Sequence, residues 1–123
     1  MNNKFRSSID MNGFSVKNSK LLKQTLTPSG TTQTINWSSG DYVDLVLTSA
    51  SGNVTLTLNN PNSPCAYIIK LTQGATPRNV IFPSGTKQGG GVSGNTVYGV
   101  ASVTQMIYVI YDSIYYVNVD TFE

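Results

Sequence analysis

The chain has 123 residues and a mass of 13.3 kDa, with 11% charged residues and no histidine. This length allows one small domain with one core. The missing histidine excludes a Ser-His-Asp triad and a His-ligated zinc site, and the single cysteine, Cys65, excludes a disulfide framework. Ser, Thr, Asn and Gly make up 51 residues, a composition typical of strand faces and turns. We therefore expect an all-β protein that binds or assembles and has no catalytic, cofactor or metal site.

The N-terminal segment is basic and polar. Residues 1–23 carry a net charge of +4, whereas the rest of the chain carries −2. So polar a segment buries too little apolar area to fold alone, and we expect residues 1–30 to form an extended arm and linker. The apolar side chains expected to anchor this arm on a partner are Phe5, Ile9, Met11, Phe14 and Val16.

The same segment bears on localisation and on nucleic acid. Polar residues interrupt every apolar window, so we expect no export signal and no membrane insertion. The arm's cations are interleaved with only two aromatic residues, Phe5 and Phe14, which is a poor nucleic-acid groove, and we expect no nucleic-acid partner.

Period-2 alternation beyond the arm predicts seven or eight strands between turns rich in Gly, Pro and Asn. No segment has a sustained helical stripe, so any helix should be a single short turn. The pattern predicts an antiparallel β-sandwich, jelly-roll-like, over residues 31–123. The predicted strands are Gln33–Trp37, Tyr42–Thr48, Val54–Leu58, Tyr67–Leu71, Asn79–Phe82, Val97–Val103, Thr104–Tyr111 and Ile114–Val119.

Two predicted strands near the C-terminus are apolar on both faces and meet at Asp112-Ser113, a plausible tight hairpin. A strand of this kind is central in its sheet or packs one face against a second subunit. Tyrosine is enriched at interfaces because it buries a large area at low entropic cost. We therefore predict an oligomer interface at Tyr108, Tyr111, Tyr115 and Tyr116.

Other candidate sites have simpler structural explanations. Gly89, Gly91 and Gly94 fit a dinucleotide-binding glycine pattern, but the residues that follow are strand-like and not helical. Asp41 and Asp44 differ in strand parity, so they would not face each other as a glycosidase pair does.

Two further residues are assigned to the core. Trp37 shares the face of Ile35 and is expected to anchor the core rather than to stack against a sugar. Cys65 is expected to be a small buried or half-buried apolar residue.

Several segments together resemble a known module. The segments that carry the resemblance are Thr34–Ser38, Leu45–Leu47, Gly52–Pro61, Ala66–Gln73, Val80–Pro83 and Tyr115–Val117. Through them the chain from about residue 33 to 119 is similar to a small β-sandwich module of bacteriophage fibre, spike and head-decoration proteins. Ser8–Gly13 likewise resembles the short segment that opens many phage fibre proteins.

This resemblance implies a non-enzymatic virion protein, made in the bacterial cytoplasm, that is a short head fibre, a capsid-decoration protein or a tail-fibre component. It implies a homotrimer whose arm is held by capsid, portal or tail proteins and whose sandwich is displayed outward. The competing hypothesis is a carbohydrate-binding or receptor-adhesion module that contacts a host-surface glycan through exposed tyrosines.

Overall fold

The computed structural model describes residues 21–89 and 94–123. The strands are β1 Lys23–Leu26, β2 Thr32–Asn36, β3 Tyr42–Val46, β4 Val54–Asn59, β5 Cys65–Thr72, β6 Val80–Ile81, β7 Lys87–Gln88, β8 Thr96–Val97, β9 Thr104–Asp112 and β10 Ile114–Phe122. They form a six-stranded sheet in the order β1-β3-β5-β9-β10-β7 and a four-stranded sheet in the order β2-β4-β6-β8. The predicted all-β class is therefore confirmed, and the two sheets are consistent with a β-sandwich.

The first six strands alternate between the sheets, so that β1, β3 and β5 lie in one and β2, β4 and β6 in the other. Neighbours within each set are parallel, because each pass through the second sheet returns the chain to the first in the same direction. In this part of the chain each turn of the backbone passes once through both sheets, and successive turns stack on one another as in a parallel β-helix. We call this arrangement the coil stack. The antiparallel prediction is wrong here, since period-2 alternation is the same in both strand senses. The predicted jelly-roll arrangement is not confirmed.

Antiparallel pairing begins where the stack ends. β9 runs antiparallel to β5 and to β10, and β8 runs antiparallel to β6. The predicted tight hairpin is confirmed: Asp112 pairs with Ile114, and Ser113 turns the chain at a φ of 63°. Of the predicted strand Val97–Val103 only Val97 is in a strand, as the second residue of β8, and residues 98–103 form the connection to β9.

The core lies between the sheets and follows the predicted alternation. Val43, Leu45 and Leu47 point inward and are buried, as are Val54 and Leu56 of β4. The threonines of β4, at the opposite parity, are exposed, whereas Asp44 and Val46 on β3 are half-buried. Trp37 is 2% exposed, so its core role is confirmed, and it opens a 3-10 turn, Trp37–Ser39, which is the single helical segment of residues 21–89 and 94–123.

The predicted boundary at residue 30 is too late. β1, which that division placed in the arm and linker, pairs with β3 along its whole length, and Leu26 packs against the core. The reason lies in Gln24, whose side-chain amide donates hydrogen bonds to the carbonyls of Asn36 and Gly40 and so ties β1 to the turn before β3. Polar composition alone does not reveal such a contact.

Candidate interaction surface

The outer side of the six-stranded sheet carries a cluster of apolar side chains. Strand alternation directs Tyr108 and Ile110 of β9 away from the core, where they are 39% and 52% exposed. On β10, Ile114 and Tyr116 are 37% and 45% exposed. Ile68 and Met106 adjoin them and are half-buried. We call these six residues the outer apolar face: Ile68, Met106, Tyr108, Ile110, Ile114 and Tyr116.

An open groove of about 460 Å³ lies along this face. Tyr116 stands in register between Ile110 and Lys87 and forms one wall with them. Asn118, in register with Tyr108, lines the groove beside it. The groove can accept an apolar or aromatic surface, with an amide and an ammonium group at its margin.

Charged residues occupy one row of the same outer surface. The register places Asp44, Lys70, Met106 and Asp120 side by side on β3, β5, β9 and β10. Lys23 forms an ion pair with Asp44, with Nζ 3.5 Å from Oδ2. Asp44 Oδ1 is buried without a hydrogen-bond partner. Within residues 21–89 and 94–123, neither Lys70 nor Asp120 has an ion-pair partner in its own chain.

The four tyrosines predicted as an interface divide between the two faces. Tyr108 and Tyr116 lie on the outer apolar face, as that prediction requires. Tyr115 is 8% exposed and belongs to the core, and Tyr111 is half-buried and packs against it, with ring centroids 4.5 Å apart. The correction follows from strand parity, because neighbouring residues of a strand point to opposite faces.

The inward tyrosines serve the aromatic cluster around Trp37. The indole Nε1–H donates a 3.2 Å hydrogen bond to the Tyr115 hydroxyl. Burial raises the pKa of Tyr115 above its ordinary value, and the Trp37 hydrogen bond offsets part of that rise. Tyr67 stacks on Trp37 with ring centroids 4.1 Å apart. Burial raises the pKa of Tyr67 to about 12, although the Asn62 N–H that donates to its hydroxyl favours the charged form.

Of the carboxylates and glycines weighed as enzyme features, Gly89 lines the groove, and the other described ones lie in an ion pair, at a turn or at a strand end. Asp44 is held by Lys23, while Asp41 precedes β3 and Asp112 lies at the hairpin. Gly94 is followed by strand β8, so no helix begins there to receive a pyrophosphate. Gly91 lies outside the described residues.

Cys65 is half-buried at the start of β5, as expected. The predicted anchor residues Phe5, Ile9, Met11, Phe14 and Val16 lie outside the described residues. In the part of the chain that is described, no group of three or more His, Cys, Asp or Glu side chains is arranged to hold a metal ion. Among those same residues, none of the helical segments has the length and apolarity needed to cross a membrane.

Sequence reasoning found the tyrosines of the outer apolar face and missed its charges. Lys70 and Asp120 are far apart in sequence and meet on one row only because β9 lies between β5 and β10. Lys87 reaches the groove through the two-residue strand β7, which is too short to show a period. Only knowledge of strand order could have grouped these side chains.

Comparison of the chain with protein-family models, with curated proteins and with solved structures returns no match.

Proposed function

We propose that the chain is a non-enzymatic structural protein of a bacteriophage virion, either a short head fibre or capsid-decoration protein, or a tail-fibre component. Its basic N-terminal arm attaches to capsid, portal or tail protein, and its two-sheet body is displayed outward as a homotrimer. The resemblance of residues 33–119 to phage fibre modules is the sequence argument for this role.

The structural observation that carries the proposal is the outer apolar face. The body already encloses its own core of residues from both sheets, and still presents Tyr108, Ile110 and Tyr116 to solvent. Contiguous apolar patches of this kind are typical of surfaces that contact protein. In a structural protein that assembles with copies of itself, such a surface would be buried between the copies.

Attachment is tested in phage particles from the strain that encodes the chain. Mass spectrometry of purified particles should detect the full chain, and particles complemented with a variant lacking residues 1–18 should not contain it. Circular dichroism of the purified deletion variant shows whether its body is folded. Equal incorporation of both chains, or absence of the full chain from particles, contradicts the proposal.

The groove supports a second candidate, a carbohydrate-binding or receptor-adhesion module. Tyr108 and Tyr116 offer ring surface, while Lys87 and Asn118 offer hydrogen-bond donors at the groove margin. A glycan array probed with the purified chain tests this function. It requires binding that Tyr116→Ala removes and that Thr57→Ala, a change on the opposite side of the molecule, leaves intact.

A further inference from the structure

We infer that the outer apolar face binds a second copy of this chain, around a rotation axis parallel to β9, with Lys70 of each copy opposite Asp120 of its neighbour. The inference rests on the proposed structural role and specifies the contact by which copies associate. It follows from the arrangement of apolar, small and charged side chains across β5, β9 and β10.

The apolar part of the face is centred on β9. Met106, Tyr108 and Ile110 follow one another along the outer side of that strand. An axis that runs along β9 therefore places this apolar line against the same line of the second copy. Such an arrangement removes from water Tyr108 and Ile110, which are 39% and 52% exposed in the monomer.

Charge complementarity selects the direction of the axis. Lys70 and Asp120 flank Met106 in register, one strand to either side of β9 and about 10 Å apart. A three-fold rotation about an axis along β9 brings the β5 side of each copy against the β10 side of the next, so Lys70 of each copy faces Asp120 of its neighbour. Each contact between copies then brings together opposite charges that have no ion-pair partner within the described chain.

The sizes of the side chains beside Ile110 are also complementary under this rotation. Ala66 and Tyr116 flank Ile110 in register, again on β5 and β10. The rotation therefore places the smallest side chain of this row against the largest apolar one, which lets two surfaces interdigitate. An axis perpendicular to the strands through Tyr108 would instead set Lys70 against Ala66 and Asp120 against Tyr116. Both charges would then lie against apolar groups without a partner, which is costly.

A different occupant fits the face less well. Sugar-binding surfaces combine aromatic rings with many polar groups, whereas Ile68, Met106, Ile110 and Ile114 make most of this face aliphatic. Aliphatic and aromatic side chains with a charged rim are typical of contacts between protein subunits.

Charge reversal tests the pairing. Sedimentation equilibrium should show self-association of the full chain, and Lys70→Glu and Asp120→Lys should each raise the dissociation constant about tenfold or more. The double variant should return it to within about threefold of the original value, because the opposite charges then face each other with signs exchanged. Ile110→Lys should give a monomer, while Thr57→Lys on the exposed side of the four-stranded sheet should not alter association. Thermal melting confirms that each variant is folded.

Three results would overturn the inference. The first is a monomeric full chain, including one that associates only after residues 1–18 are removed, because those residues would then cover the face. The second is a double variant that self-associates no more tightly than the two single variants. The third is a folded Ile110→Lys variant that associates normally. Association is measured on the purified chain, whereas incorporation is measured on phage particles, so the two proposals can fail separately. If the double charge variant restores association but the chain is absent from particles, the contact between copies is supported and the virion role is rejected.

Discussion

At the residue scale, neighbouring tyrosines of the hairpin point to opposite faces of the sheet and have different roles. Tyr115 accepts the Trp37 hydrogen bond inside the core, whereas Tyr116 points to the outer apolar face. Tyr108 and Tyr111 divide in the same way. The aromatic residues of the hairpin therefore contribute to both stability and association, and substitutions can separate the two.

Removal of the Tyr115 hydroxyl should destabilise the fold. Tyr115→Phe leaves the Trp37 N–H buried without an acceptor, which costs about 1–3 kcal/mol. Tyr116→Phe is the matched control, because its hydroxyl is on the exposed face, and it should change the free energy of unfolding by less than about 0.5 kcal/mol. Urea denaturation measures both. Equal effects of the two substitutions would contradict the assigned hydrogen bond.

The raised pKa of Tyr67 predicts a loss of stability at alkaline pH. An unfolded tyrosine releases its proton near the ordinary pKa of 10.0, whereas the folded side chain holds it to about 12. The folded state thus binds the proton more tightly, so its contribution is complete below pH 10 and is lost as the pH rises toward 12. The shift corresponds to roughly 2–3 kcal/mol.

The substitution Tyr67→Phe should flatten this part of the curve of unfolding free energy against pH. Tyr98→Phe, at an exposed position, should leave the curve unchanged. An unaltered alkaline slope in Tyr67→Phe would show that other groups cause the loss.

At the element scale, the connection between β8 and β9 is fixed by a close backbone approach at Gly99. Its N–H donates a 2.9 Å hydrogen bond to Asn79 Oδ1. A Cβ at this position would meet the Arg78 carbonyl oxygen, and it would lie 2.7 Å from Gln73 Nε2. Gln73 itself holds the chain together here, since its amide bonds both the Arg78 backbone and Gln105.

We therefore expect Gly99→Ala to destabilise the protein by about 1–3 kcal/mol through steric displacement of this segment. Gly30→Ala is the control, since no atom lies within 4 Å of a Cβ built there. Its effect should stay within about 1 kcal/mol and should not be destabilising. Thermal melting of the two variants distinguishes a local clash from a general effect of adding a methyl group.

The position of β1 in the six-stranded sheet leads to a prediction about truncation. Removal of residues 1–18 leaves β1 and should keep the body folded. Removal of residues 1–26 takes away the strand that pairs with β3 and the Leu26 contact with the core, and it exposes the edge of β3. Urea denaturation of both variants should show a clear loss only for the longer deletion. Equal stabilities would mean that β1 is dispensable.

The fold was partly predictable because alternation identifies strands but not their partners. Val43, Leu45 and the Thr-Leu pattern of β4 gave the inward face correctly. Parallel pairing depends on how each loop crosses between the sheets, and loops of five to seven residues at these positions are equally compatible with hairpins. The outer apolar face could likewise be predicted only in part. Its tyrosines were visible in the sequence, whereas its charges at Lys70 and Asp120 depended on strand order.

At the scale of the whole molecule, the body combines a parallel coil stack with an antiparallel end. The two sheets bury their facing sides against each other, so the core is complete within one chain. The outer side of β9 and β10 still presents Tyr108, Ile110 and Tyr116 to solvent, and the charged residues Lys70 and Asp120 lie on either side of Met106 on the same surface. This combination of a closed core and an open apolar face is what connects the fold to assembly.

The central claim is that the body associates with copies of itself through this face without help from the N-terminal arm. Sedimentation equilibrium of the full chain and of the variant lacking residues 1–18 tests it most directly. The account predicts a trimer in both samples, with three times the mass of the respective monomer, which is 13.3 kDa for the full chain. Monomers in both samples, or association that disappears with the arm, would contradict it.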